Sequence, residues 1–239
     1  MPDARSPLRS AYALPVDAVL FDLDGTLADT APDLAAALNR VRADRGLAPV
    51  PASGLRSSSS HGARGLIGAG MGVAPDHPDY HALRDAFLAH YETGLCVDTT
   101  LFGNVEALLA AIESRALKWG IVTNKAARYT MRLLDLLGLG ERAGIVVCGD
   151  TTPHTKPHPA PLLAAAAGLG VSPARCVYVG DAERDVAAGV AAGMRTIVAR
   201  YGYIDVGEDP ESWSADGAID NPGALLAWLP DVSPDTRPR

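Results

Sequence analysis

Lysine is scarce in this chain. Of 21 basic residues only Lys118, Lys125 and Lys156 are lysines; the other 18 are arginines. Arginine therefore serves for most surface cations, and each lysine raises the question of whether a compact ammonium is needed there. Cysteine is scarce too. Cys96, Cys148 and Cys176 are odd in number, widely spaced and in no C-x-x-C arrangement. They give no disulfide or zinc signal and suit a reducing compartment, so a cytoplasmic location is expected. No apolar run approaches the roughly 18 residues of a membrane span, so no membrane partner is expected. Residues 1–16 include basic residues with no long apolar stretch, the composition of a disordered leader rather than a secretory signal. A basic excess is also missing: the formal charge of −7 argues against a nucleic-acid partner. It leaves room for an anionic small molecule, because local cations and metals override net charge.

What is present is ordinary for a soluble globular chain: 48% hydrophobic and 21% charged residues over 239 positions. That length suits one large domain, or a core with a smaller companion. Ala18-Val19-Leu20-Phe21 is an apolar run of the kind a fully buried strand shows, and Asp22, Asp24 and Gly25 end it. Gly25 turns the chain, so both carboxylates should emerge at the carboxyl end of a strand, where open α/β sheets place ligands. Two neighbouring carboxylates repel, and they require a cation, a shared proton or solvent. An Asp-rich turn is the commoner account of a lone D-x-D; the sharper one makes one Asp a nucleophile and the other an acid/base, with a hard divalent cation between them.

Further along, a cap-and-Pro start at Ala28–Asp33 predicts a helix from about Asp33 to Arg45. Residues 53–72 are Gly- and Ser-rich, and read as a flexible loop with a weak helix, or as a turn presenting N–H groups, His61 and Arg64 to an anion. Tyr80–Leu95 has an apolar stripe of Leu83, Phe87, Leu88 and Tyr91, expected to be core. Helix at Asn104–Ser114 then leads to a strand at Lys118–Asn124. That second strand lies about three times farther from the first than the ~30 residues of a βαβ unit allow. A small helical domain is therefore expected over 33–98, inserted into a core of 17–32 and 99–230. From there strands (Gly144–Cys148, Cys176–Gly180, Thr196–Arg200) alternate with helices (Tyr129–Leu139, Pro159–Gly168, Glu183–Ala192, Pro222–Trp228), which predicts a parallel sheet covered on both faces. The Pro-rich residues 231–239 read as a frayed tail.

Three further clusters sit at predicted strand ends. Thr123-Asn124-Lys125 closes one strand, where a hydroxyl is ordinarily a helix cap. Lys156 is followed by Pro157, which biases it toward extended geometry, and Pro159 can open the next helix. Asp181 and Asp185 are four apart and share a face if a helix starts there, either as cap and first-turn acid or as oxygen ligands.

Phe21-Asp22-Leu23-Asp24-Gly25-Thr26-Leu27 resembles the first motif of the haloacid dehalogenase superfamily. Thr123, Lys156 and Gly180-Asp181-Ala182-Glu183-Arg184-Asp185 resemble its second, third and fourth, in order. The resemblance implies a Rossmann-like parallel sheet with an inserted α-helical cap and phosphomonoester hydrolysis through an aspartyl-phosphate. By that resemblance Asp22 is the nucleophile and Asp24 the acid/base. Thr123 and the Asn124 main chain hold phosphoryl oxygens, Lys156 neutralises charge, and Asp22, Asp24, Asp181 and Asp185 serve a Mg²⁺ site. Dehalogenases of the superfamily generally lack the second carboxylate, so Asp24 with Asp181 favours phosphate chemistry. The inserted segment and Tyr201-Gly202-Tyr203-Ile204 resemble the phosphoglycolate phosphatase group, including its N-acetylmuramic acid 6-phosphate phosphatases. A phosphomutase with the same motifs and a non-catalytic phospho-ligand module are the alternatives. A small phosphorylated metabolite is the expected partner, with His61, Arg64 and Lys125 as its expected contacts (His61 being as readily structural) and a monomer or weak homodimer as the expected state.

Overall fold

The computed structural model describes residues 16–205 and 207–230. The expected tail and residues 1–15 of the expected leader lie outside the described residues, while Val16 is already packed in the core. In chain order the elements are β1 (Ala18–Phe21), β2 (Ala28–Asp29), α1 (Ala31–Ala43), α2 (Gly62–Met71), α3 (Tyr80–Thr93) and β3 (Thr100–Leu101). There follow α4 (Val105–Ser114), β4 (Lys118–Val122), α5 (Ala127–Leu136), β5 (Val146–Val147), α6 (Ala160–Leu169), β6 (Cys176–Gly180), α7 (Glu183–Ala191), β7 (Arg195–Ala199) and β8 (Gly217–Ile219).

Six strands form one parallel sheet in the order β5-β4-β1-β6-β7-β8. This is the doubly wound arrangement: the chain works outward from β1 to β5, then jumps back to β6 on the other side of β1. The reversal lies between β1 and β6, so the crevice for a ligand opens beyond the carboxyl ends of those two strands. Alternate residues face opposite layers. Val19, Phe21, Ile121, Val177 and Val179 pack with Leu108, Leu109 and Leu133 from α4 and α5. Ala18, Leu20, Val122 and Tyr178 pack with Leu162, Ala165 and Ala188 from α6 and α7. Being covered on both sides is why β1 reads as an unbroken apolar run.

Helices α1, α2 and α3 pack on one another between β1 and β4. The stretch expected to be flexible is two 3₁₀ turns, at Ala52–Gly54 and Ser57–His61, running into α2. Its small residues allow close approach: a Cβ at Gly70 would lie 2.2 Å from Leu38 Cδ2. Helix α1 starts earlier than the expected Asp33, because its first N–H, which no side chain of the helix caps, is met from outside. The Tyr203 hydroxyl accepts from Ala31 N at 2.9 Å, while the Thr30 hydroxyl is turned to Asp24 instead of capping. Asp33 accepts from the N–H groups of Val97, Asp98 and Thr99 and from the Thr99 hydroxyl. Beside this clip β2 and β3 pair antiparallel, Ala28 with Leu101 and Asp29 with Thr100. The two crossings between the helical segment and the sheet are thus bonded to each other. The expected last helix is a 3₁₀ segment, Pro222–Ala227.

Candidate active site

The carboxyl ends of β1, β4 and β6 bring Asp22, Thr123 and Asp181 together, and Lys156 reaches in from the loop before α6. Lys156 Nζ lies 2.9 Å from Asp22 Oδ1 and 2.8 Å from Asp185 Oδ1. It also donates to Val122 O (2.9 Å) and to the Tyr178 hydroxyl (2.8 Å). Asn124 fixes the lysine's main chain, its amide donating to Lys156 O (2.9 Å) and its carbonyl oxygen accepting from Lys156 N (3.0 Å). The Asn124 side chain thus has a positioning task in addition to the main-chain role the motif suggests. Of the other two lysines, Lys118 donates to Leu169 O at the end of α6 and is structural.

Asp22, Asp181 and Asp185 are all buried, and each offers an oxygen within 4.8 Å of the others. Burial and Asp185 push the Asp22 carboxyl up to about 6 against the pull of Lys156. Burial, then Asp22 and Asp185, push Asp181 up to about 8. Lys156 stays above the ordinary lysine value despite burial, because Asp185 and Asp22 outweigh the loss of solvent. Three buried carboxylates against the Lys156 ammonium and the nearby Arg184 guanidinium still leave a negative balance that a divalent cation would correct. The donor set fits a hard ion such as Mg²⁺, which takes carboxylate oxygens and keeps several waters. Gly25 makes room for it: at φ +83° it turns the chain, and a Cβ there would lie 2.1 Å from Asp181 Oδ2.

Asp24 faces elsewhere. Its Oδ1 accepts from Lys125 Nζ at 2.9 Å and from the Thr30 hydroxyl at 2.6 Å. Its carboxylate is outside the three-carboxylate cluster, so any contribution of Asp24 to a metal falls to its carbonyl. Lys125, expected to touch substrate, is thus engaged by Asp24, and its Nζ also stands 4.7 Å from the centre of the Tyr91 ring of α3. Burial lowers an ammonium's pKa, but Asp24 outweighs it and holds Lys125 above the ordinary value.

Between these groups and helices α1–α3 lies a cavity of about 970 Å³. Asp22, Asp24, Thr123, Asn124 and Lys125 line its floor, and His61 and Arg64 its far wall. Arg84 of α3 and Arg128 of α5 line it as well. His61 stands 4.0 Å from Asp205, about half exposed.

Four residues receive no role in the site from the sequence. Arg184, the arginine within the G-D-x-x-x-D stretch, crosses the cavity to donate to Ser60 O (2.6 Å) and Ser60 Oγ (2.8 Å). Tyr178 sits inside an apolar strand, and only the rule that a buried phenol needs a partner marks it. Tyr203 donates its N–H to Asp181 (2.8 Å) and its hydroxyl to Asp29 (2.8 Å), joining the acidic cluster to the paired crossings. Tyr91 was expected to be core; it is buried, and it also lines the cavity.

Residues 19–199 match the haloacid dehalogenase-like hydrolase family. The chain belongs to that family. Among curated relatives of this haloacid dehalogenase-like hydrolase is the N-acetylmuramic acid 6-phosphate phosphatase of Pseudomonas aeruginosa, 42% identical over 209 residues, covering 87% of this chain and 92% of the relative. The phosphoglycolate phosphatase of Xanthomonas campestris pv. campestris is 43% identical over 220 residues, covering 91% and 97%. Among solved structures, a predicted phosphoglycolate phosphatase from Haemophilus somnus 129pt superposes with a TM-score of 0.79 at 24% identity, covering 91% of this chain and 98% of that one. That likeness carries the fold.

Proposed function

We propose that this hydrolase is a Mg²⁺-dependent phosphomonoesterase working through an aspartyl-phosphate on Asp22, with a sugar-sized, carboxylate-bearing phosphate ester as substrate. The observation that carries the reading is the joining of a buried Asp22–Lys156 pair with Asp24, two residues on, at one end of a large cation-lined cavity. Lys156 and Leu23 N both donate to Asp22 Oδ1, leaving Oδ2 without a protein donor among the described residues. Asp22 attacks phosphorus in line, the bond to the leaving oxygen breaks, and Asp24 supplies that oxygen with a proton. Asp24 then takes a proton from water, which attacks phosphorus and releases phosphate from Asp22. Lys156 and Thr123 steady the equatorial oxygens throughout. Asp22, the Asp24 carbonyl and Asp181, with Asp185 in support, would hold a Mg²⁺ ion, and the chemistry it would supply is neutralisation of the phosphoryl charge.

The named relatives offer two substrates, and both carry a carboxylate that Arg64 is suited to fork onto. Size favours one. Cavities of roughly 300–1,000 Å³ hold drug-sized ligands, and the two-carbon body of 2-phosphoglycolate would leave most of this one to water. N-acetylmuramic acid 6-phosphate fills more of it and brings its lactyl carboxylate toward the arginines, none of which, Arg64, Arg84 or Arg128, joins an ion pair with a carboxylate among the described residues. The test is phosphate release from both esters, hexose phosphates, pyridoxal phosphate and nucleotides, with Mg²⁺ and with EDTA. Mg²⁺-dependent release highest on the muramic ester is expected. Release highest on 2-phosphoglycolate would overturn the substrate assignment, and no release from any ester would overturn the reaction class.

A further inference from the structure

Among the described residues, Tyr91 carries the single buried side-chain oxygen or nitrogen without a hydrogen-bond partner. Its ring is accounted for by packing: parallel to Phe87 at 6.4 Å, tilted against Tyr129 at 5.7 Å, and over Lys125 Nζ at 4.7 Å. A phenylalanine would make all three ring contacts and lose only the hydroxyl's electrostatic contact with the Lys125 ammonium, which falls short of a hydrogen bond in geometry. The hydroxyl is therefore the part that packing leaves unexplained, and a buried polar atom without a partner is both rare and destabilising. The residue lines the cavity while being only 2% exposed, and its hydroxyl oxygen is buried behind that surface. Burial pushes its pKa up to about 12, so at neutral pH it is a donor.

We infer that Tyr91 is a substrate-binding residue supplied by the helical insertion, its hydroxyl donating to an acceptor oxygen on the organic group that departs from phosphorus. This rests on the phosphatase reading above. The placement follows from its neighbours. The phosphoryl end of the site is Asp22, Thr123 and Lys156, whereas Tyr91 covers Lys125, and Lys125 holds Asp24, the group that serves the leaving oxygen. An acceptor within reach of Tyr91 is thus on the leaving group's own skeleton: a sugar hydroxyl, a ring or ether oxygen, or a carboxylate. The same side chain keeps Lys125 covered, so recognition of the leaving group and placement of the acid/base come from one residue. The ligand class selected is an oxygen-rich alcohol moiety, as against a hydrocarbon or aryl one.

The discriminating variant is Tyr91→Phe, which keeps the ring and deletes the donor. Its kcat/KM for N-acetylmuramic acid 6-phosphate should fall about tenfold, the scale of one hydrogen bond, while that for p-nitrophenyl phosphate stays within about twofold. The melting temperature should be unchanged or higher, since an unpaired buried oxygen is removed. Equal losses on both esters, or no loss on either, would overturn the assignment. A second measurement separates it from the hydrolase reading. In an Asp22→Asn background, calorimetric titration should show Tyr91→Phe weakening the muramic ester about tenfold and inorganic phosphate not at all. If the wild type hydrolyses nothing, the phosphatase reading falls and this titration decides Tyr91 alone. Unchanged affinity for the ester, or no measurable binding of it before the Tyr91 change, would overturn the role.

Discussion

Two lysine–aspartate pairs stand side by side in this protein at the same separation, 2.9 Å, and they are built differently. Lys156 and Asp22 are surrounded wholly by the sheet and its loops. The lysine is held by Val122 O, the Tyr178 hydroxyl, Asp185 and the Asn124 side chain, and the pair is almost entirely shielded, at 1% and 5% side-chain exposure. Lys125 and Asp24 are more open, at 9% and 18%, and part of their cover is borrowed: Tyr91 comes from α3, and Thr30 from the crossing into α1. On the proposed function, the charge that would steady a phosphoryl group is therefore a fixed property of the sheet, whereas the surroundings of the group proposed to transfer the proton depend on the helices lying over it.

The largest effect that can break this comparison is on turnover. Asp22→Asn should reduce phosphate release by at least about 1,000-fold on every ester, as loss of a nucleophile does. Asp24→Asn should slow alkyl esters by about 100- to 10,000-fold but affect p-nitrophenyl phosphate far less, since that leaving group departs without a proton. Equal losses across esters for both variants would mean that the pairs share one role. Stability comes next. Lys156→Met strands Asp22 and Asp185 in the interior and should destabilise the protein by about 3–5 kcal/mol in urea unfolding. Lys125→Met removes charged hydrogen bonds from a more open pair and should cost about 1–3 kcal/mol. The reverse order would refute the contrast in burial.

The smallest effect is the pH dependence of the metal-free protein. Asp22 and Asp181 have carboxyls raised by burial to about 6 and about 8, against an ordinary 3.8. Above that ordinary value the unfolded chain gives up these protons before the fold does, so raising the pH should progressively remove stability until about pH 8, beyond which the loss levels off. Thermal melts in EDTA should thus fall from pH 5 to 8 by a few degrees, and saturating Mg²⁺ should flatten the decline by binding the ionised cluster. Melts that rise with pH in EDTA would contradict the burial of these acids.

The sheet was largely readable because a doubly covered strand leaves a strong trace, and Cys176–Gly180 matches the expected bounds at both ends. The short strands β2, β3 and β8 left no trace, since two or three residues carry too little periodicity to register, whereas the equally short β5 was found, at Val146–Val147 within the expected Gly144–Cys148, because an apolar run marks it. Asp22, Lys156, Asp181 and Asp185 were legible because their chemistry is tied to strand ends in sequence order. Tyr91 was not. On a helix, a cavity-lining aromatic and a core aromatic occupy the same stripe, and what separates them is whether the hydroxyl has a partner, a fact of three dimensions. The early start of α1 was hidden for the same reason, its cap being a tyrosine hydroxyl from 172 positions away.

The pairing of β2 with β3, clipped by Asp33, means that the helical insertion leaves the sheet and re-enters it through one hydrogen-bonded gate. Such a segment is a cassette. Its two ends already meet, so exchanging what lies between them leaves strand order and register in the sheet untouched. A graft at Asp29 and Thr100 has two requirements: ends that fit the same ribbon, and an apolar underside for the surface that Leu34, Phe87 and Tyr91 now cover. Under the proposed function, the reaction would stay with the recipient while the choice of alcohol would travel with the donor.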